Sequence, residues 1–195
     1  MNLQPDEERD RADMLRLRQG QDAALNELME RHGERLFRFL VRALQNESEA
    51  GDLAEEAFVR VYQNRDRFDL KQKFSTWLYA IAANLVRDRY RWRTRHPEVG
   101  LESEANQAEW QAQIRDPDLT PGERLEQEER AKLVREAIAA LPEELRTALI
   151  LSEYEGLSHA EIGEVLNCSA KAVEMRLYRA RQQLRARLAD WVGAI

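Results

Sequence analysis

Apolar residues in this chain recur at steps of three and four, and no stretch of strand length alternates at steps of two. Side chains three and four apart share one face of an α-helix, whereas a strand needs the two-residue period. The fold is therefore predicted to be all-α, built as small helical bundles. Leu25, Leu28, Met29, His32, Leu36, Leu40 and Leu44 form one apolar stripe over about 22–44. Met14, Leu15 and Leu17 before it suggest a short helix ending near Gly20. Ser48 is placed to cap a third helix, with Leu53, Ala57, Phe58, Val61 and Tyr62 on its buried face. Residues 66–73 break the pattern and read as a loop. Ser75 or Thr76 then caps a fourth helix with Phe74, Trp77, Leu78, Ile81, Ala82 and Leu85 on its apolar face. Only eight Gly and five Pro among 195 residues agree with long helices rather than turn-rich sheet.

Over residues 97–121 the periodicity lapses into acids, amides and the turn dipeptides DP and PG. Such a segment buries too little apolar surface to offset its ordering entropy, so a flexible acidic linker is expected at 98–124. It separates a first helical domain, 1–97, from a second, 125–195. In the second, Leu125, Leu133, Val134, Ala137, Ile138 and Leu141 stripe one helix. Pro142 ends it and opens the next, which runs to about Tyr154. Helices over 158–166 and 169–188 follow.

Charge divides along the same boundaries. The whole chain carries −6, but residues 84–96 carry +4, 98–129 carry −8 and 169–188 carry +5. Two basic stretches flanking an acidic one point to two contacts with one polyanion. No run approaches the roughly 18 apolar residues of a membrane span. The acidic N-terminus lacks the basic-then-apolar order of a secretory signal. A cytoplasmic protein without membrane insertion is expected. The lone Cys168 allows no internal disulfide and no Cys-rich zinc site. No Gly-rich phosphate loop is present. His32, His96 and His159 lie on unrelated segments without ligand spacing, so neither metal, cofactor nor enzymatic activity is expected. His32 falls on the apolar stripe and reads as a satisfied core histidine, and Cys168 as a small filler.

Two segments carry specific chemistry. Ser158-His-Ala-Glu161 is a capping box, and Gly163, Asn167 and Val173 follow at helix-turn-helix spacing. A small residue lets the helices approach, a residue tolerant of positive φ makes the turn, and an apolar residue anchors the second helix. Ser169 caps that helix. Val173, Leu177, Ala180, Leu184 and Leu188 face inward, and Lys171, Ala172, Glu174, Met175, Tyr178, Arg179 and Arg181 lie on or beside the outward face. Cations there hold phosphates while the first turns enter a major groove. Glu174 either accepts from cytosine N4 or repels a phosphate. The second segment, FSTWLYAIAANLVRDRYRWRTRH, packs inward through Trp77, Leu78, Ile81 and Leu85. It then presents Arg87, Arg89, Tyr90, Arg91, Trp92, Arg93 and Arg95. Aromatics interleaved with Arg suit unpaired strand, with rings stacking on bases and guanidiniums holding the backbone. Asn84 and Asp88 share a face one turn apart and suit base edges. A stand-alone helix-turn-helix repressor would account for 158–188 but not for the Arg–Trp segment.

These segments, with DLAEEAFVRVYQNRDRF, resemble the extracytoplasmic-function sigma factors, the small two-domain specificity subunits of bacterial RNA polymerase. The likeness covers roughly residues 10–190. It implies sigma region 2 over 1–97 and sigma region 4 over 125–195. The implied partners are the clamp helices and flap of core polymerase, promoter DNA both duplex and melted, and an anti-sigma factor. Polymerase docking is implied for Asp52, Leu53, Glu55, Glu56, Phe58, Arg60 and Tyr62, on a stretch, 46–62, of net charge −4. Recognition and melting of the −10 element, including capture of a flipped base, fall to Arg67, Lys71, Lys73, Asn84, Arg87, Asp88, Tyr90, Arg91, Trp92 and Arg93. Reading of the −35 duplex falls to Ser169, Lys171, Ala172, Glu174, Met175, Tyr178, Arg179 and Arg181. Glu55, Ala172 and Glu174 depart from the family's commoner residues.

Overall fold

In the computed structural model, residues 5–96 and 121–192 are described, and among them there are eight α-helices, one 3-10 turn and no strand. The first set is α1 (Pro5–Arg18), α2 (Ala23–Leu44), α3 (Glu47–Gln63), the 3-10 turn (Arg65–Arg67) and α4 (Phe74–Arg95). The second is α5 (Pro121–Ala139), α6 (Glu143–Glu153), α7 (His159–Leu166) and α8 (Ala170–Val192). The expected linker lies outside the described residues up to position 120. α5 begins at Pro121, so its first turn takes up residues 121–124, which the sequence pattern assigned to the linker.

The caps explain most differences in helix boundaries. Gln45 takes a left-handed conformation, φ 56°, and its N–H bonds the Val41 carbonyl, closing α2. Asn46 is thereby left extended, and its side chain accepts from Glu49 N at 3.0 Å. Asn46 is therefore the cap, not Ser48, with Glu47 and Glu49 at the positive end of the α3 dipole. The cap of α4 is Lys73, two or three residues before the expected Ser75 or Thr76, and Phe74, 2% exposed, is its first helical residue and already core. Ser158 and Glu161 make the full capping box, and Asn167 closes α7 at φ 49°. Ser169 Oγ accepts from Ala172 N at 3.1 Å at the start of α8.

The first core forms where α2, α3 and α4 pack together, with Leu28, Phe39, Leu40, Ala57, Val61, Leu78 and Val86 shut from solvent. α2 touches α1, α3, α4 and α6, so more of it is buried than one stripe predicts: Phe39, Val41 and Ala43 are core, while Met29 is exposed. α1 is pinned by charge. Arg31 reaches Asp10 at 2.9 Å and Asp13 at 2.5 Å, and His32 bonds Asp10 at 2.8 Å while its ring packs on Phe74. His32 is thus a satisfied interior histidine.

In the second set α6, α7 and α8 enclose Leu149, Ile150, Leu151, Ile162, Val173, Leu177 and Ala180. Leu184 is half-buried against that core, and Leu188 is half-buried too. Leu133 and Val134 depart from the expected buried stripe. α5 rests on α8, its buried residues among those described are Ala137 and Ile138, and residues 127–136 are exposed or half-exposed. The two sets also pack on each other, α7 and α6 against α4 and α6 against α2, so their buried apolar residues form one continuous cluster.

Candidate nucleic-acid interface

The arginines of α4 fall at every second residue. A step of two advances about 200° around a helix, so they separate into two rows. Arg87, Arg91 and Arg95 form one row, and Arg89 and Arg93 the other. The second row faces α3: Arg93 Nη2 lies 2.6 Å and Arg89 Nε 3.9 Å from Glu49 Oε2. The first row faces outward, with Arg91 and Arg95 exposed and Arg87 half-buried while bonding Asn84 Oδ1 at 3.2 Å. Asn84 and Asp88 are exposed beside it. Trp92, more than a third exposed, stacks on His96 with centroids 4.8 Å apart and planes at 24°. It presents a ring face with Arg89 5.8 Å above the centroid.

The loop before α4 is held from beneath. Phe68 is buried and packs on Trp77, at 4.9 Å between centroids, and on Phe74. Asp69 Oδ1 accepts from Lys71 N at 2.9 Å, turning the chain. Arg67 and Lys71 project into solvent from this support. Two expected DNA residues are engaged otherwise. Lys73 Nζ sits 3.0 Å from Glu7 and 3.0 Å from Glu161, and these carboxylates hold its ammonium above its ordinary range. Tyr90 donates to the Ala43 carbonyl at 2.8 Å and accepts from Arg146, and burial pushes its phenol up. Both are tied down within the protein, so the exposed residues of α4 are Asn84, Asp88, Arg91, Trp92, Thr94 and Arg95.

The α7–α8 pair forms the second surface. A methyl on Gly163 would stand 2.7 Å from the Cys168 carbonyl oxygen, so only glycine permits this approach of chain to helix. Cys168 itself is half-buried in the turn. Ser169, Lys171, Glu174, Met175, Tyr178, Arg179 and Arg181 are exposed, and Ala172 half-buried. Lys171 Nζ lies 2.8 Å from Glu174, whose carboxyl it holds below the ordinary range. Arg181 bonds Glu153 at 2.7 Å and Tyr178 OH accepts from Gln182 at 3.2 Å. Basic, aromatic and thioether groups thus share one exposed helix face with a single carboxylate.

The α3 surface is acidic. Asp52 and Glu55 are exposed, Glu56 is bridged to Arg60 at 2.9 Å, and Tyr62 is half-buried under Arg65. Leu53 and Phe58 depart from the docking expectation, because both are buried on the opposite face and hold the helix in its bundle. Val59, 46% exposed, completes the outer face with Asp52 and Glu55. Its spacing of seven and four from them was the available signal. Among the described residues no group of three His, Cys, Asp or Glu is placed to hold a metal, and no helix is long and apolar enough to cross a membrane.

The family model described as Sigma-70 region 2 matches residues 28–96, and that described as Sigma-70, region 4 matches 131–184. The chain is 35% identical over 177 residues to the ECF RNA polymerase sigma factor SigW of Bacillus subtilis, covering 89% of this chain and 94% of that protein. It is 32% identical over 177 residues to the ECF RNA polymerase sigma-E factor of Haemophilus influenzae, covering 90% and 93%. Among solved structures, CnrH in complex with the cytosolic domain of CnrY matches with a TM-score of 0.68 and 27% identity, over 93% of this chain and 98% of CnrH.

Proposed function

The chain belongs to the extracytoplasmic-function sigma factors of RNA polymerase, and from that premise we propose how its surfaces divide the work of starting transcription. Region 2, over 1–97, docks on core polymerase through the outer face of α3 and melts the −10 element with α4 and the loop before it. Region 4, over 125–195, reads the −35 duplex with α8, and residues 98–124 connect them. Extruding a base from the stack costs a few kcal/mol. Stacking on an aromatic ring returns about 1–3 kcal/mol per base, and guanidiniums add backbone contacts. Trp92 beside Arg91 and Arg95 supplies both. The chain acts by binding rather than by chemistry, in the cytoplasm, where polymerase and promoter DNA are.

One observation carries this reading: two basic, solvent-facing helix surfaces lie on two different helical sets, each next to a structural device of its own. The exposed α4 row adjoins an aromatic-backed loop, and α8 follows a glycine-tight turn. A lone duplex reader needs only the second. Control by a protein inhibitor completes the proposal. The family resemblance implies an anti-sigma factor, and CnrH, similar across both helical sets, is held by the cytosolic domain of CnrY.

The test is in vitro transcription with bacterial core polymerase. The purified chain is expected to direct initiation at defined sites, with Arg91→Ala impairing melting and Arg179→Ala impairing duplex binding. Strong site-specific binding by the isolated chain as a dimer on palindromic DNA would favour the repressor reading instead.

A further inference from the structure

The loop over residues 66–73, which precedes α4, meets α1 at three places. Near its start, Arg18 Nε of α1 lies 4.0 Å from Asp66 Oδ1. At its end, Glu7 Oε1 of α1 holds Lys73 Nζ at 3.0 Å. Beneath it runs a connection of another kind. Asp10 of α1 is 3% exposed, yet both oxygens of its carboxylate are engaged. Oδ1 accepts from Arg31 Nε at 2.9 Å, and Oδ2 accepts from His32 Nε2 at 2.8 Å. A carboxylate only accepts, so the ring hydrogen is on Nε2. The imidazole is thereby held in place, with its centroid 5.0 Å from that of Phe74. Phe74 packs edge-on against Phe68 and Trp77, at 6.1 Å and 6.2 Å between centroids.

Phe68 is the buried residue of this loop; the others are exposed or half-exposed. The bonds within the loop, Lys71 N to Asp69 Oδ1 at 2.9 Å and Gln72 N to Asp69 O at 3.0 Å, shape its turn without attaching it to the bundle. Its attachment from beneath is the seat of Phe68 among the rings. Arg67 precedes Phe68 and Lys71 follows it by three residues, so that seat also fixes the backbone from which both cations reach solvent. A base drawn out of the stack is read by hydrogen bonds and stacking in a close-fitting pocket. Groups that make such contacts are placed only as well as the shell behind them is locked. The match to Sigma-70 region 2 begins at residue 28, so α1 and Asp10 lie outside it.

We propose that Asp10 and His32 are positioning residues for −10 recognition: through Phe74 they fix Phe68, and with it the loop that meets the extruded base. This rests on the sigma-factor reading of the loop and adds α1, with its buried carboxylate, to the machinery of base selection. Asp10 and His32 touch no DNA themselves.

The test uses holoenzyme formed from the full chain and bacterial core polymerase, at a promoter where the wild type initiates. Initiation rates are compared among all bases at the −10 position whose substitution impairs the wild type most, and separately at the corresponding −35 position. A ratio of rates taken on one preparation does not depend on how much of the chain is folded. His32→Phe keeps a ring against Phe74 and removes the donor to Asp10. It is expected to lower −10 discrimination about fivefold, inside the roughly hundredfold that a displacement of about 1 Å can cost, and to leave −35 discrimination unchanged. Phe74→Leu keeps the bond to Asp10 and most of the apolar volume but removes the ring between His32 and Phe68. It is expected to give the same pattern, and it decides the matter if circular dichroism shows His32→Phe to be unfolded. Wild-type −10 discrimination in a folded variant, even beside a lowered thermal midpoint, is the result of a purely structural pair and overturns the proposal. An equal fall at both elements overturns it too. Failure of the sigma-factor reading is separate and visible: wild type with core polymerase would start no transcript.

Discussion

Gly163 and Asn167 stand four residues apart and solve different problems. Gly163 has ordinary backbone angles but no space for a methyl, because a rigid carbonyl oxygen would lie 2.7 Å away. Asn167 has space but a positive φ of 49°. Gly163→Ala is therefore expected to destabilise region 4 by about 1–3 kcal/mol, the usual range for overpacking. Asn167→Gly should be neutral or slightly stabilising, because glycine adopts that φ without strain. Urea midpoints distinguish the two. Glu161 is also doubly employed, in the capping box and against Lys73. Burial pushes its carboxyl up, but hydrogen bonds from Ser158 and Lys73 outweigh this and hold it below its ordinary 4.5. A lowered folded value means its contribution is complete above about pH 4.5 and is lost as pH falls through the folded value. The thermal midpoint should drop below that pH, and Glu161→Gln should flatten the drop while lowering the plateau. These residues were legible because capping and turn chemistry act within a few positions of one another.

At the scale of elements, α4 shows where such local reading ends. Its Arg-rich half announces nucleic acid, yet the division into two rows has consequences only once α3 places Glu49 against one of them. Arg93→Ala is expected to cost about 0.5–1 kcal/mol of stability through the lost pair. Arg91→Ala should leave stability unchanged and weaken binding of single-stranded DNA, with the salt dependence of binding reduced by about one phosphate contact. A titration at several salt concentrations, beside a thermal melt, separates the two roles. Equal loss of binding in both variants without loss of stability would contradict the division into rows. The same tertiary dependence explains Leu53 and Phe58 on α3. Their residue types match a docking motif, but a helix has one inner face, and the packing of α2 and α4 decides which residues occupy it. Leu133 and Val134 fail in the opposite sense: their spacing is right for burial, but both stay more than a third exposed while Ala137 and Ile138, one turn further on, are buried.

For the whole molecule, two helical sets were readable from periodicity and charge, whereas the surface that joins them was not. Tyr79 and Glu155, whose side chains hydrogen-bond, are 76 residues apart, and Arg146 and Ala43, whose carbonyl it bonds, are 103 apart. Each reads alone as an ordinary helical residue. Arg146 has a further property that only the fold supplies. Besides Ala43 O and Tyr90, its guanidinium bonds Ala139 O at 2.5 Å and Leu141 O at 2.8 Å. It meets carbonyls at the C-terminal ends of both α2 and α5, where the helix dipoles favour a cation. Its bonds are to carbonyls and a hydroxyl, so the charge is stabilised by dipoles from both sets at once. Removing it takes this donor from the Ala139 and Leu141 carbonyls, at about 1–3 kcal/mol apiece, while Ala43 O keeps its bond from the Tyr90 hydroxyl. Calorimetry of wild type should accordingly show one cooperative transition. Arg146→Ala should lower it by several kcal/mol and divide it in two, with region 4 melting first because it loses the α5 carbonyl contacts as well. Arg146→Lys retains the charge but has three donors on one nitrogen in place of a planar fork, so it should recover only part of the loss. A single undivided transition in Arg146→Ala would mean that apolar packing between α2 and α6, rather than this cation, couples the two halves.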